Sequence, residues 1–217
     1  MRVLLCSCVL LVCTSLATAQ TTTASALAKK VDAHYNHLHS LETRYAERYQ
    51  GMGIDRTEMG MLTLLKPGRM RWDYDSPKGK VFLLDGTNAI SFTPGDAEAT
   101  RFPEKKLDDL RSPLRFLLGH TELEKELQGL SVTLVSLDGQ TGYTLWGTPA
   151  GMSQRVRALG VTVDARGIIH VLRIEETDGA ITTFTFSDMH ENQPANEAQF
   201  RFVPPPDVTV IDGAAPI

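Results

Sequence analysis

What most constrains this chain is a series of short segments in which apolar and polar residues alternate, each closed by a turn signal. Alternation puts successive side chains on opposite faces, as in a strand with one dry and one wet side. Such segments run over 41–51, 57–65, 69–74, 81–84, 89–93, 130–137, 141–147, 155–164, 168–176 and 180–188. Between them stand Gly53-Ile54-Asp55-Arg56, Lys66-Pro67-Gly68, Asp85-Gly86, Pro94-Gly95-Asp96, Asp138-Gly139 and Asp178-Gly179. Links this short exclude helical crossovers and predict an antiparallel meander.

The stretch from Gly60 to Tyr74 shows the pattern best. Pro67 and Gly68 break it into two strands. After the turn, Met70, Trp72 and Tyr74 fall on one side and Arg69, Arg71 and Asp73 on the other. The apolar side is large, aromatic and soft. Met52, Met59, Met61 and Met70 crowd the same region, and methionine repacks easily around varied contents. This face reads as the lining of an apolar cavity.

The N-terminus is a different kind of segment. Met1-Arg2 is followed by an apolar run from Val3 to Leu16 and then Ala17-Thr18-Ala19-Gln20. A basic start, an apolar run short of the ~20 residues of a membrane span and an Ala-x-Ala site predict a signal peptide at 1–19. All 3 cysteines, Cys6, Cys8 and Cys13, lie inside it. The mature chain would then have neither disulfides nor thiolate chemistry, although its compartment permits disulfides. Its stability must come from a core, and about 198 residues suffice for one domain over 20–217. The formal net charge is −4, and loss of Arg2 makes it one unit more negative. That argues against nucleic acid as a partner and against lasting adhesion to an anionic membrane.

Two regions read as helical. Leu27, Val31, His34/Tyr35 and Leu38 share one face of a helix over 26–38. His34, His37 and His39 at its end lack a carboxylate or third ligand and read as surface residues near a helix C-terminus. From Arg101 to Gln128 the two-residue period is lost. Ser112 as N-cap, Pro113 at the first helical position and Gly119 as stop frame Leu114, Phe116, Leu117 and Leu118. Apart from Arg115 this turn and a half is apolar nearly all round, so it must lie on apolar surface. A second short helix is expected over 121–127. Further on, 191–196 reads as a loop and Phe200-Arg201-Phe202 as strand. Pro204-Pro205-Pro206 confines the segment carrying Val208-Thr209-Val210 to a sheet edge or a crossing.

Nothing in the sequence supports catalysis. There is no nucleophile elbow around Ser153, no phosphate loop and no His-Glu-x-x-His. Glu175 and Glu176 are neighbours in a strand and point to opposite faces. Absence of motifs does not exclude an enzyme, but it leaves nothing to support one.

Several of these pieces, in this order, resemble the outer-membrane lipoprotein carrier (LolA-type) family of periplasmic chaperones. They are the opening helix into Leu38-His39-Ser40-Leu41 and the Tyr45 strand, Lys66-Pro67-Gly68-Arg69-Met70-Arg71-Trp72-Asp73-Tyr74 with Ser76-Pro77, and Leu84-Asp85-Gly86. Ser112-Pro113-Leu114-Arg115-Phe116-Leu117-Leu118, Asp164-Ala165-Arg166-Gly167-Ile168-Ile169-His170 and the tail from Phe200 to Val208 complete the set. The resemblance implies an α+β, mainly antiparallel fold: an incomplete, half-open β-barrel of roughly eleven strands covered by short α-helices. It implies a soluble periplasmic, monomeric carrier that takes acylated lipoproteins from an inner-membrane ABC transporter to an outer-membrane receptor, is not an enzyme and needs no cofactor or metal. A same-fold carrier or sensor of another lipid or glycolipid is the alternative.

On this reading the acyl chains meet Leu41, Tyr45, Leu62, Leu64, Met70, Trp72, Tyr74 and Phe92 on the sheet. Leu114, Leu117 and Leu118 cover them from the lid helix. Lys66 closes the lid by bonding carbonyls near Leu117 or Leu118. Two residues depart from the family pattern. Lys66 stands where many members carry arginine, and lysine lacks the planar fork. Met70 stands where an aromatic is common.

Overall fold

A computed structural model of the chain describes residues 22–103 and 121–213. The proposed signal peptide and the 112–118 helix lie outside the described residues. Twelve strands form one sheet, in the order β12-β6-β5-β4-β3-β2-β1-β11-β10-β9-β8-β7. The first wing is β1 (Ser40–Gly51), β2 (Ile54–Leu65), β3 (Arg69–Tyr74), β4 (Val81–Asp85), β5 (Asn88–Phe92) and β6 (Glu98–Pro103). The second is β7 (Leu127–Leu137), β8 (Gln140–Pro149), β9 (Val156–Val163), β10 (Ile169–Glu176) and β11 (Ile181–Glu191). Neighbours within each wing are antiparallel, and β1 pairs with β11 to join the two.

The sheet curls. Phe102 on β6 and Leu145 on β8, far apart in strand order, belong to one buried cluster. The outermost strands β12 and β7 do not pair among the described residues, so the barrel is not closed. This is the expected half-open, mainly antiparallel α+β architecture. The expected eleven strands become twelve, and the extra edge strand β12 (Thr209–Asp212) runs parallel to β6. Its place at the edge is where the three prolines before it confine it.

α1 (Ala24–His37) fills the hollow. It starts two residues before the expected point because Thr23 Oγ1 accepts from Ala26 N at 3.1 Å and caps it. Leu27, Ala28, Val31 and Tyr35 are its buried stripe. Polar bonds fix its seat. Tyr35 Oη accepts from Ile169 N at 3.1 Å, and Lys30 Nζ donates to Ala165 O at 2.9 Å. Gly167 must be glycine in that turn: its φ is +88°, and a Cβ would lie 3.1 Å from Lys30 O. The short helix α2 (Leu123–Glu126) docks on α1 through Asp32, whose carboxylate accepts from Leu123 N at 3.1 Å. Among the described residues no helix is long and apolar enough to cross a membrane.

Other sequence expectations are corrected. The first hairpin turns at Met52-Gly53 rather than over 53–56. Both residues take positive φ, +52° and +78°, and Gly51 pairs with Ile54. A two-residue turn of this hand matches strand twist and needs no longer loop. β6 lies in a stretch where the sequence shows too little alternation to reveal it. β11 continues to Glu191, past an irregularity where Asp188 has φ +50°. Phe200 ends a 3-10 turn (Glu197–Phe200), not a strand, because Asn196 Oδ1 accepts from Ala198 N at 3.0 Å.

Candidate functional site

The register of the first wing settles which residues share the concave face. Directly opposite residues of neighbouring strands point the same way. Leu41 stands opposite Leu64, Thr43 opposite Leu62 and Tyr45 opposite Gly60. Across the next ladder Leu64 faces Met70, Leu62 faces Trp72 and Gly60 faces Tyr74. Leu84 and Phe82 on β4 continue the rows from Met70 and Trp72. Apart from Thr43 and Gly60, these residues join the α1 stripe and the second wing's Leu145, Val161, Leu172, Phe184 and Phe186 in one cluster. The sequence alternation therefore places Leu41, Tyr45, Leu62, Leu64, Met70, Trp72 and Tyr74 together.

Aromatic rings make the floor. Tyr45 meets Trp72 edge-on, with centroids 4.5 Å apart, and Trp72 tilts against Phe184 at 5.7 Å. The indole N–H of Trp72 donates to Met70 Sδ at 2.8 Å. Gly60 leaves room for the Tyr45 ring, because a Cβ there would come within 2.8 Å of it. The other tryptophan, Trp146, lies on the opposite face, its ring covering Gly160. It is a natural contrast to Trp72.

Phe92 corrects the sequence expectation. It belongs to a second apolar cluster with Val81, Leu83, Ile90, Ala99 and Phe200. In β4 and β5 both faces are apolar, so alternation does not say which one is inside. The residues after the 3-10 turn cover the convex side here, with Phe202 5.6 Å from Phe92. Arg71 holds this cover: its guanidinium clasps Asp73 and donates to Gln199 O at 2.9 Å. It is thus a structural residue rather than a free surface charge.

Lys66 sits where the apolar face ends. Its Nζ donates to the carbonyl of Tyr35, in the last turn of α1, at 2.7 Å. That carbonyl lies at the negative end of the helix dipole. Burial lowers the Lys66 pKa from its ordinary value. The expected bond from Lys66 to the 112–118 helix lies outside the described residues, as do Leu114, Leu117 and Leu118. Against the sequence expectation, His34 has a carboxylate partner brought from β11: its Nε2 is 3.0 Å from Glu191 Oε1, while His37 Nδ1 is 2.6 Å from Ala33 O.

The family model for the outer membrane lipoprotein carrier protein LolA matches residues 47–203. The chain belongs to the LolA family. An outer-membrane lipoprotein carrier protein of Nitrosospira multiformis is 26% identical over 162 residues, covering 73% of this chain and 74% of that one. The Chromobacterium violaceum carrier is 23% identical over 191 residues, with 88% and 89% covered. Among solved structures, a LolA superfamily protein from Nitrosomonas europaea is 12% identical, with a TM-score of 0.45 over 83% of this chain and 98% of that one.

Sequence reasoning missed part of the aromatic floor. Phe184 and Phe186 on β11 come from the far end of the chain and close it through the β1–β11 ladder. Their alternation, Ile181-Thr182-Thr183-Phe184-Thr185-Phe186, is visible in the sequence. What it does not contain is the long-range pairing that brings β11 next to β1.

Proposed function

We propose that this protein carries acylated lipoproteins through the periplasm, holding their acyl chains against the Leu62–Met70–Trp72 face. It receives them from an inner-membrane ABC transporter and delivers them to an outer-membrane receptor. The observation that carries this reading is one continuous apolar and aromatic face on the hollow side of an unclosed sheet. Membership of the lipoprotein carrier family supports it.

The energetics suit transfer rather than storage. Each CH₂ taken from water gains ~0.8 kcal/mol, so three long chains would exceed the practical ceiling of roughly 20 kcal/mol for non-covalent affinity. A bilayer offers the same burial, however. The carrier need only match the membrane, and a lining of Leu and aromatic residues with Met70 does so while still releasing its load; Met52 and Met59 are exposed and Met61 stands on the opposite face, between Arg44 and Asp73.

Lys66 is the coupling point between sheet and cover. It ties the β2–β3 turn to the end of α1, and on this reading also to the 112–118 lid. Lys66→Leu should still load cargo but release it to acceptor membranes more slowly. Transfer at the wild-type rate would make Lys66 a turn residue only.

The facing assignment has a direct test. A brominated acyl chain loaded on the Trp146→Phe variant should quench Trp72. Loaded on Trp72→Phe, it should leave Trp146 bright. Quenching of Trp146 alone would place the ligand on the convex face and refute the assignment.

A further inference from the structure

Past Tyr74 the concave face changes character. Glu47 and Glu58 stand directly opposite each other on β1 and β2, on the side of Tyr45 and Gly60. Lys80 donates to Glu58 and sits 4.0 Å over the Tyr74 ring. Arg56, next along this face of β2, lies 5.8 Å from the centre of the Tyr49 ring. Glu47 has no hydrogen bond or ion pair among the described residues. Burial, with Glu58 opposite, raises its pKa.

Beside these charges lies a buried hydroxyl with no partner. Tyr45 is only 2% exposed, and its Oη makes no hydrogen bond. The hydroxyl lies over Gly60, where a Cβ would stand 2.9 Å from it, and the Tyr45 ring is 6.0 Å from that of Tyr74. A buried unpaired hydroxyl costs free energy in the empty protein. Here it stands two residues from an acceptor that is also unused.

We propose that this cluster seats the polar head of the bound acyl chain and selects a neutral amide over an anionic head. The proposal rests on the carrier reading above. The amide carbonyl accepts from Tyr45 Oη and the amide N–H donates to the Glu47 carboxylate. Both idle groups are then paired. An ester satisfies only Tyr45. A carboxylate or phosphate meets Glu47, whose charge has no cation bonded to it, beside Glu58, whose charge Lys80 already offsets. The distances along the sheet agree. From Glu47 to Leu41 the strand spans about 20 Å, comparable with an extended palmitoyl chain running from this polar end to the Lys66 end.

The test compares N-methylpalmitamide, methyl palmitate and palmitate at neutral pH. Binding to the mature chain is read from Trp72 fluorescence in the Trp146→Phe background. The expected order is amide, ester, then carboxylate, with the amide roughly tenfold tighter than the ester. Tyr45→Phe keeps the ring and its packing and should weaken amide and ester alike by several-fold. Glu47→Leu should erase the gap between amide and ester. Equal binding of all three by the wild type, or unchanged affinities in Tyr45→Phe, would overturn the head-group proposal and leave the carrier reading standing. Failure of the wild type to bind any of the three would overturn both.

Discussion

Leu62 gives a quantitative test of whether the concave face is dry. It is fully buried, with Thr43 and Trp72 directly across the two ladders. Its nearest companions on the face, Leu41, Tyr45, Leu64, Gly60, Met70 and Tyr74, carry no charge. Leu62→Asp and Leu62→Asn both forfeit the leucine's burial, about 2–5 kcal/mol. Their difference isolates ionisation. A carboxyl that must stay neutral at pH 7, against an ordinary pKa of about 3.9, costs 1.36 kcal/mol per unit, or ~4 kcal/mol. The folded pKa is raised, so this penalty is absent below the ordinary value and grows as pH rises towards the folded value. Urea unfolding should therefore give similar midpoints for the two variants near pH 4. At pH 7 the Asp variant should unfold more than one molar earlier, given a slope of roughly 1–3 kcal/mol per molar. Thr185→Asp, on the exposed convex side of β11, should show no such pH dependence. If Asp and Asn variants coincide at pH 7, water reaches Leu62 freely and the face is no shielded acyl site.

Glu47 is held above its ordinary pKa by burial and by Glu58, with Arg56 and Lys80 acting the other way. Its contribution favours the fold at acid pH and is lost as pH rises through the folded value. Glu47→Gln should thus raise Tm at pH 7, with the gain vanishing near pH 4; an equal gain at both would show that the side chain does not titrate abnormally. Gly60→Ala puts a Cβ 2.0 Å from the carbonyl of Asp73 and 2.8 Å from the Tyr45 ring, so chemical denaturation should show a loss of at least about 1–3 kcal/mol. Stability equal to the wild type would mean that Tyr45 does not lie over Gly60. Arg71→Ala should free the segment around Gln199, costing about 1–2 kcal/mol. Limited proteolysis should then cut first within 192–208, and an unchanged cleavage pattern would contradict the clasp.

Much of the fold is legible in the sequence, and the reasons differ by element. β3 can be read completely because one face is dry and the other carries Arg69, Arg71 and Asp73. The same logic fails at Phe92, where Ala89 faces inward while Ile90 and Phe92 pack beneath a C-terminal cover. That cover is a 3-10 turn followed by prolines, with no period that would announce a buried surface. β6 is hidden for a related reason: Glu98 to Pro103 is short and mixes charge with apolar residues. The Tyr45–Glu47 pair cannot be found from spacing, since Glu47 merely interrupts an apolar stripe. Its meaning appears only when Glu58, Lys80 and the unpartnered hydroxyl are seen on the same side. Pro67 and Gly68 mark Lys66 as a turn residue, but its bond to Tyr35 is a contact across the fold.

The central claim is that acyl chains of lipoproteins occupy the concave face. The most direct measurement is mass spectrometry of the protein isolated from periplasm under native conditions, for wild type and for Leu62→Asn. Acylated N-terminal lipoprotein species should be found in complex with the wild type and be depleted from the folded variant. Wild-type protein without acylated species, or equal loading of the two proteins, would contradict the claim.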